Sequence, residues 1–312
     1  MRNQNNRLDE LKYSFTSHLL ELLDKKVSKG QMTYGFEFEF IATKPLDLNI
    51  MEILYGYLPK CGFLLKGKLF THPSGTYVTF EPGGQIEYHS LPLHAEDDQI
   101  VHGIIDLMEE TNFNIKKDLG IEYVATGYIP GRADSPLCLS ETRYKNLHAR
   151  MPMSGTRGLE MMKGTASIHL HARICNVKEL APLFYRMCEM AAMEEFRMQD
   201  DRRDIWNNTD ASRCGLPYDI PEHSDARRTI EEIVKFALGA DEIAQNIPFY
   251  ETEDLSFETF MNHMTTIFTD VRLNVKGPSI ELRTLDSLPF PQFKERWDRF
   301  VAEMEAIAMA CE

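Results

Sequence analysis

The stretch GFEFEF, residues 35–40, decides how the rest of the chain is read. Side chains of a strand alternate between its two faces, so Phe36, Phe38 and Phe40 fall on one side and Glu37 and Glu39 on the other. The same sorting recurs downstream. GGQIEYHS sets Gln85, Glu87 and His89 against Ile86 and Tyr88, and ASIHLHA sets His169 and His171 against Ile168 and Leu170. SIELRTL sets Glu281 and Arg283 against Ile280 and Leu282.

Outward from these strands, Leu8, Leu11, Phe15, Leu19, Leu22 and Leu23 predict a helix over 6–25 that ends near Gly30, followed by a strand over 33–42. Residues 76–90 read as a strand pair or one bulged strand, interrupted by Pro82-Gly83-Gly84. Helices are expected at 97–118, 177–198, 225–238, 257–267 and 291–309, and strands at 121–128, 164–172, 271–275 and 279–285. A polar loop, NNTDASRCG (207–215), leads into less regular sequence. No glycine-rich phosphate loop follows any strand, which disfavours Rossmann and P-loop architectures. With no repeat, low-complexity tract or linker, the expectation is one α+β domain over 1–312.

The 312 residues are 43% hydrophobic and 26% charged, as in an ordinary globular protein. The net charge of −14, with a pI near 5.2, repels nucleic-acid phosphates and anionic membranes, so neither is an expected partner. No apolar run is long enough for a membrane span, and the polar start (Arg2, Asn3, Gln4, Asn5, Asn6) does not read as a signal peptide. Cys61, Cys138, Cys175, Cys188, Cys214 and Cys311 have neither zinc-type pairing nor scaffold density; they read as reduced thiols of a cytoplasmic protein.

One polar strand face has an ordinary explanation, because antiparallel sheets often leave one face wet. Four faces offering carboxylates, imidazoles and an arginine are harder to explain that way. Carboxylates crowded on one sheet face repel unless cations or arginines sit among them. Oxygen donors with an occasional imidazole suit Mg²⁺ or Mn²⁺, and Arg283 beside Glu281 would set a fixed cation next to a metal-bound phosphate. The pattern points to a multi-metal nucleotide site on a sheet.

The same stretches resemble the plant-type (second) class of glutamate–cysteine ligases, among the glutamine synthetase-like carboxylate–amine ligases. The resemblance rests on five segments in order: G-x-E-x-E at 35–39, FEPGGQIEYHS at 80–90, RYKNLHARMPMSGTRGLEMMKGTASIHLH at 143–171, RRDIWNNTDASRCG at 202–215, and VRLNVKGPSIELRTLDSLP at 271–289. It implies a curved antiparallel sheet forming a funnel flanked by helices. It also implies an ATP- and Mg²⁺-dependent reaction through an acyl phosphate, with glutamate and cysteine as the best guess for the substrates. By position it makes Glu37, Glu39, Glu87, Glu281 and His169 metal ligands, with Glu81 a further candidate. Arg283 would face the transferred phosphate, and Arg202 and Arg213 would bind phosphate or a substrate carboxylate. Arg143, Tyr144, Trp206 and Gln85 are candidates for the substrate and ATP pocket, while the roles of His89 and His171 stay open.

Three departures bear on substrate. The chain is shorter than the plant enzymes, Phe40 stands where the family often has lysine, and His169 and His171 replace polar amides. A ligase using another acceptor amine therefore remains an alternative, as do a guanidine phosphotransferase on the same fold and a non-catalytic nucleotide-binding protein. Amino acids and ATP are the expected small-molecule partners, and a homodimer is the expectation from base rates alone.

Overall fold

The computed structural model describes residues 2–27, 30–67, 69–215 and 225–311, with side chains from Arg7 onward. The polar side chains at 2–6 and the less regular stretch 216–224 lie outside the described residues. The strands in chain order are β1 (Tyr34–Ala42), β2 (Leu64–Lys66), β3 (Leu69–Thr71), β4 (Tyr77–Phe80), β5 (Ile86–His89), β6 (Tyr123–Val124), β7 (Ser167–Arg173), β8 (Cys214–Gly215), β9 (Phe268–Thr269), β10 (Val271–Asn274) and β11 (Ser279–Asp286). Nine of them form one antiparallel sheet in the order β10-β11-β7-β1-β5-β4-β3-β2, with β6 added to β1; β8 and β9 make a small parallel pair. The sheet is open, and with ten α-helices among the described residues the architecture is α+β.

The alternation read from GFEFEF is used as expected. Phe36, Phe38 and Phe40 pack against Phe290, Phe293 and Trp297 of the helix Phe290–Cys311. The helix Asp98–Leu119 covers the neighbouring part of this apolar face, where Tyr88 Oη donates to Asn112 Oδ1 at 2.9 Å. Each aromatic buried this way contributes about 1.5–3 kcal/mol as an upper estimate.

Register then decides what meets on the opposite face. Glu37 pairs with His89 on one side and His169 on the other, Glu39 with Glu87, Glu281 with His171, and Arg272 with Glu281. A slip of one residue in any pair would carry a carboxylate onto the phenylalanine face, so the buried aromatics lock the polar register. β11 pairs Leu282 with Leu170 but Leu285 with Ile168, so one extra residue is bulged between them. That bulge lets Leu285 return to the apolar side and turns Asp286 to the polar one, opposite Ser167.

The stretch 76–90 is a strand pair, β4 and β5, joined by a glycine turn. Gly84 has φ +81°, where a β-carbon is strained, and a β-carbon on Gly83 would lie 2.6 Å from the Lys163 backbone. Other expectations are corrected. The helix expected over 177–198 is a 3₁₀ turn, Val177–Glu179, followed by Leu180–Met190; residues 191–198 turn repeatedly and bury Phe196 and Met198. The strand expected over 121–128 shrinks to Tyr123–Val124, paired with Ala42 and Ile41, because the segment then leaves β1 and Tyr128 bridges Thr165 instead. The short helices Thr142–Ser154, Gly158–Gly164 and Asp200–Asn207 were not anticipated, and with Phe257–Met264 they roof the polar face.

Candidate active site

Between the polar sheet face and these helices lies a cavity of about 360 Å³. Glu37, Glu39, Glu81, Glu87, His89, His169, Arg272 and Arg283 line its sheet end; Leu147, Met151, Met162, Met264, Trp206 and Phe268 line its helical end.

Glu37 is the hub. Its carboxylate lies 2.8 Å from His169 Nδ1 and 3.5 Å from both His89 Nδ1 and His171 Nε2. Burial pushes its pKa up, but His171, His169 and His89 outweigh burial and hold it well below the usual carboxylate range. The same pairings act in reverse on the imidazoles: burial lowers His89 and His171, while Glu87 and Glu37 raise the first and Glu37 and Glu281 raise the second above their ordinary value. Glu39 accepts from Ser167 N at 2.7 Å and Ser167 Oγ at 3.1 Å, yet burial and Glu87 still raise it. Glu81 is raised further, by burial and then by Glu87, Glu39 and Glu37.

Glu281 is fully buried and held by two arginines. Arg272 grips it through Nε at 2.8 Å and Nη2 at 2.7 Å, and Arg283 Nη1 pairs with its other oxygen. These cations overcome burial and depress the carboxyl to about 2. Arg272 was not anticipated. The signal was present in VRLNV, where Arg272 and Asn274 alternate with Val271 and Leu273 and therefore share one face of β10.

Of the other expected residues, Arg143 and Tyr144 line the cavity, with the guanidinium 5.7 Å from the ring. Arg143 also donates to Thr265 O at 2.8 Å. Trp206 lines it as well, its Nε1 donating to Phe268 O at 3.0 Å. Gln85 reaches the cavity wall, but its amide is spent locally: Nε2 donates to Thr165 O at 2.8 Å, and Oε1 accepts from Gly83 N at 2.9 Å. It clamps the glycine turn rather than offering free polar atoms.

Arg202 and Arg213 are not placed as expected. Arg202 is 1% exposed, its Nε 2.8 Å from Asp286 Oδ1 and its Nη2 donating to the carbonyls of Arg283 at 3.1 Å and Thr284 at 2.7 Å. It braces the β11 bulge and is not among the residues that line the cavity. It is no surface ion pair either. Arg213 is equally buried: Nε meets Asp210 Oδ2 at 2.7 Å, Nη1 meets Thr266 Oγ1 at 2.9 Å, and Nη2 meets Asp241 O at 2.5 Å. Arg150, also unanticipated, completes the knot on Asp210 at 2.9 Å and Asp241 at 3.1 Å. Both guanidiniums are turned to protein acceptors and away from the cavity lining.

Three groups bring ligand atoms within 4.8 Å of one another: Glu37, Glu87 and His89; Glu39, Glu87 and His169; Glu37, His169 and Glu281. Two carboxylates and an imidazole suit a divalent cation of the Mg²⁺ to Mn²⁺ kind. The first two groups fit such an ion best, since no arginine occupies their carboxylates; in the third, Glu281 is taken by Arg272 and Arg283. Glu81 lines the same cavity but joins none of the groups found among the described residues.

Fold and site together define an α+β protein whose antiparallel sheet carries a carboxylate, imidazole and arginine centre suited to divalent cations and anionic substrates. A sequence profile of glutamate-cysteine ligase family 2 matches residues 33–193, just over half of the chain, and the chain belongs to that family. Chloroplastic glutamate–cysteine ligases of Solanum lycopersicum and Nicotiana tabacum are each 24% identical to it over 298 residues, covering 82% of this chain and 55% of the relative. That of Arabidopsis thaliana is 24% identical over 299 residues, with the same coverage. The chain thus spans about half the length of the curated relatives it matches.

Proposed function

We propose that this protein joins a carboxylate to an amine at the expense of ATP, with glutamate and cysteine the preferred pair and γ-glutamylcysteine the product. The observation that carries the reading is the register that gathers Glu37, Glu39, Glu87, His89 and His169 beside Arg272 and Arg283 at one end of a single cavity. Family membership and relatives named glutamate–cysteine ligase support the substrate pair.

In this reading the substrate carboxylate attacks the γ-phosphorus of ATP, the bond to the bridging oxygen breaks, and ADP leaves. The amine then attacks the acyl carbon and expels phosphate, losing a proton. Mg²⁺ or Mn²⁺ held by Glu37, Glu39, Glu87, His89 and His169 would neutralise the triphosphate oxygens. Arg283, steered by Glu281 and by the bulge that Arg202 braces, presents its guanidinium to the phosphoryl group in flight. Arg272 holds Glu281 and contributes a second positive wall. The roofing helices exclude water from the acyl phosphate, and the apolar end with Trp206 accommodates the uncharged parts of the substrates.

One observation favours a second reading, a γ-glutamyl ligase with a bulkier acceptor amine. Met151, Met161, Met162, Met261 and Met264 all line the cavity, an adaptable apolar lining that exceeds what a cysteine side chain needs. Six free thiols fit action in a reducing compartment such as the cytoplasm, although the relatives named above are chloroplastic. None of the described helices is long and apolar enough to cross a membrane.

The test is ADP release with ATP and Mg²⁺ over amino acids offered singly and in pairs, with mass spectrometry of the products. ADP release requiring glutamate and cysteine together, with a product of their summed mass less water, is the expected result. Release with glutamate and a different amine selects the second reading. Release without amide formation points to a phosphotransferase, and no release with any pair sinks both ligase readings.

A further inference from the structure

His89 is held in a way that its neighbours in the sheet do not require. It is 8% exposed and stacks on Tyr77, with ring centroids 4.2 Å apart and planes within 7°. Its Nε2 lies 2.7 Å from Thr79 Oγ1 and 3.0 Å from Glu87 Oε2, and the Thr79 hydroxyl in turn donates to Glu87 Oε2 at 2.7 Å. Thr79 has a single proton and spends it on the carboxylate, so the proton between His89 and Thr79 must come from the imidazole. Nε2 is therefore the protonated nitrogen. Nδ1 is the ring nitrogen that is buried without a hydrogen-bond partner and aimed at Glu37 Oε1 from 3.5 Å, and a cation seated between the two would take the place of a proton on it.

A separation of 3.5 Å is long for a hydrogen bond. It matches two ligands of one cation: atoms each about 2.1 Å from a shared ion stand roughly 3.0–3.4 Å apart in octahedral or tetrahedral geometry. The carboxylate behind Nε2 completes the pattern in which a ligating imidazole donates its other N–H to an acid that fixes its tautomer.

Resting on the proposed cation-dependent ligase chemistry, we infer that His89 Nδ1 is a metal ligand, and that the position it shares with Glu37 selects a first-row transition cation, Mn²⁺ in kind, over Mg²⁺. Magnesium takes oxygen donors and water and gains little from an imidazole, whereas manganese and its neighbours accept one readily. His169 is held differently, at both ring nitrogens: Nδ1 lies 2.8 Å from Glu37 Oε2 and Nε2 2.8 Å from Ser167 Oγ. His89 Nδ1, unlike either nitrogen of His169, is buried without a hydrogen-bond partner, and substitution of His89 separates its signal from those of the other histidines.

The experiment uses the full chain without nucleotide, labelled with histidine carrying ¹⁵N only at Nδ1, titrated with Mn²⁺ and followed by pulsed electron paramagnetic resonance. Mg²⁺ affinity is read by competition. The expected result is a directly coordinated ¹⁵N signal that disappears in His89→Asn and His89→Gln. In these variants Mn²⁺ affinity should fall about tenfold and Mg²⁺ affinity less than twofold. Bound Mn²⁺ with no coordinated ¹⁵N in the wild-type chain, or a signal that survives both substitutions, overturns the assignment of His89 and leaves the ligase reading untouched. No Mn²⁺ bound at all overturns both. If the variants do not fold, bound Mn²⁺ with no coordinated ¹⁵N in the wild-type chain still overturns the assignment.

Discussion

Replacing Asp210 by asparagine tests the reassignment of Arg213 from substrate ligand to brace. Asp210 is 3% exposed and accepts from Arg213 Nε at 2.7 Å, Arg150 Nε at 2.9 Å, Ser212 N at 3.0 Å and Ser212 Oγ at 2.8 Å. With Asp241 it balances two buried guanidiniums. Asparagine keeps the shape but removes the charge, leaving one cation uncompensated in the interior. Burial raises the Asp210 carboxyl, but Arg213, Arg150 and Ser212 more than reverse this, lowering it from 3.8 to about 2. A shift of that size corresponds to roughly 2.5 kcal/mol of native-state stability, and breaking a buried pair typically costs about 3–5. Asp210→Asn should therefore lose about 3 kcal/mol in urea unfolding at pH 7. Because the folded pKa is depressed, this stabilisation is complete above the unfolded value of 3.8 and is lost as pH falls through about 2. The gap between wild type and variant should then close over that acid window. A loss below about 1 kcal/mol, or a gap that ignores pH, would show that the knot is not a brace and would return Arg213 to the list of candidate ligands.

Glu281→Gln should reduce ADP release at least about a hundredfold and destabilise the protein by roughly 3 kcal/mol, since Arg272 and Arg283 lose their shared counter-charge; wild-type turnover would remove Glu281 from the centre. Arg283→Lys should lower kcat by about tenfold or more with little change in KM, because a point charge replaces a planar fork, whereas a change confined to KM would place Arg283 in ground-state binding. His263 is buried, and its pKa is lowered to about 4 by burial and then by Arg213 and Arg150, which together outweigh its bond to Ala237 O. Its neutral form stabilises the fold above the model-peptide value of 6.5, and that contribution, about 3 kcal/mol, disappears as pH falls from 6.5 to about 4. His263→Gln should flatten unfolding midpoints measured across this range; an unchanged slope would mean that the histidine titrates normally.

The alternation of β1, β5, β7 and β11 was legible because a strand has a two-residue period, and Phe36, Phe38, Ile168 and Leu282 declare which side is buried. From that alone Glu37, Glu39, Glu87, His169 and Glu281 could be assigned to polar faces; the cavity gathers the first four with His89, and Glu281 lies beneath Arg272 and Arg283. Arg272 was equally legible, since it alternates with Val271 and Leu273 along β10. The helices over 142–164 were not legible: Pro152 and several glycines weaken their periodicity, and packing over the cavity holds them in place.

What the sequence determined by itself is therefore the set of groups on each strand face, since that follows from local backbone geometry. What only the tertiary structure decided is which faces meet and which charges stay available. The pairing of Glu37 between His89 and His169 is a matter of register between segments 52 and 132 residues away, and nothing in a single strand encodes it. The same holds for the arginines. Arg202 and Arg213 have the chemistry of Arg272 and Arg283, but carbonyls and carboxylates hold the first pair in buried contacts outside the cavity lining, while the second pair lines it.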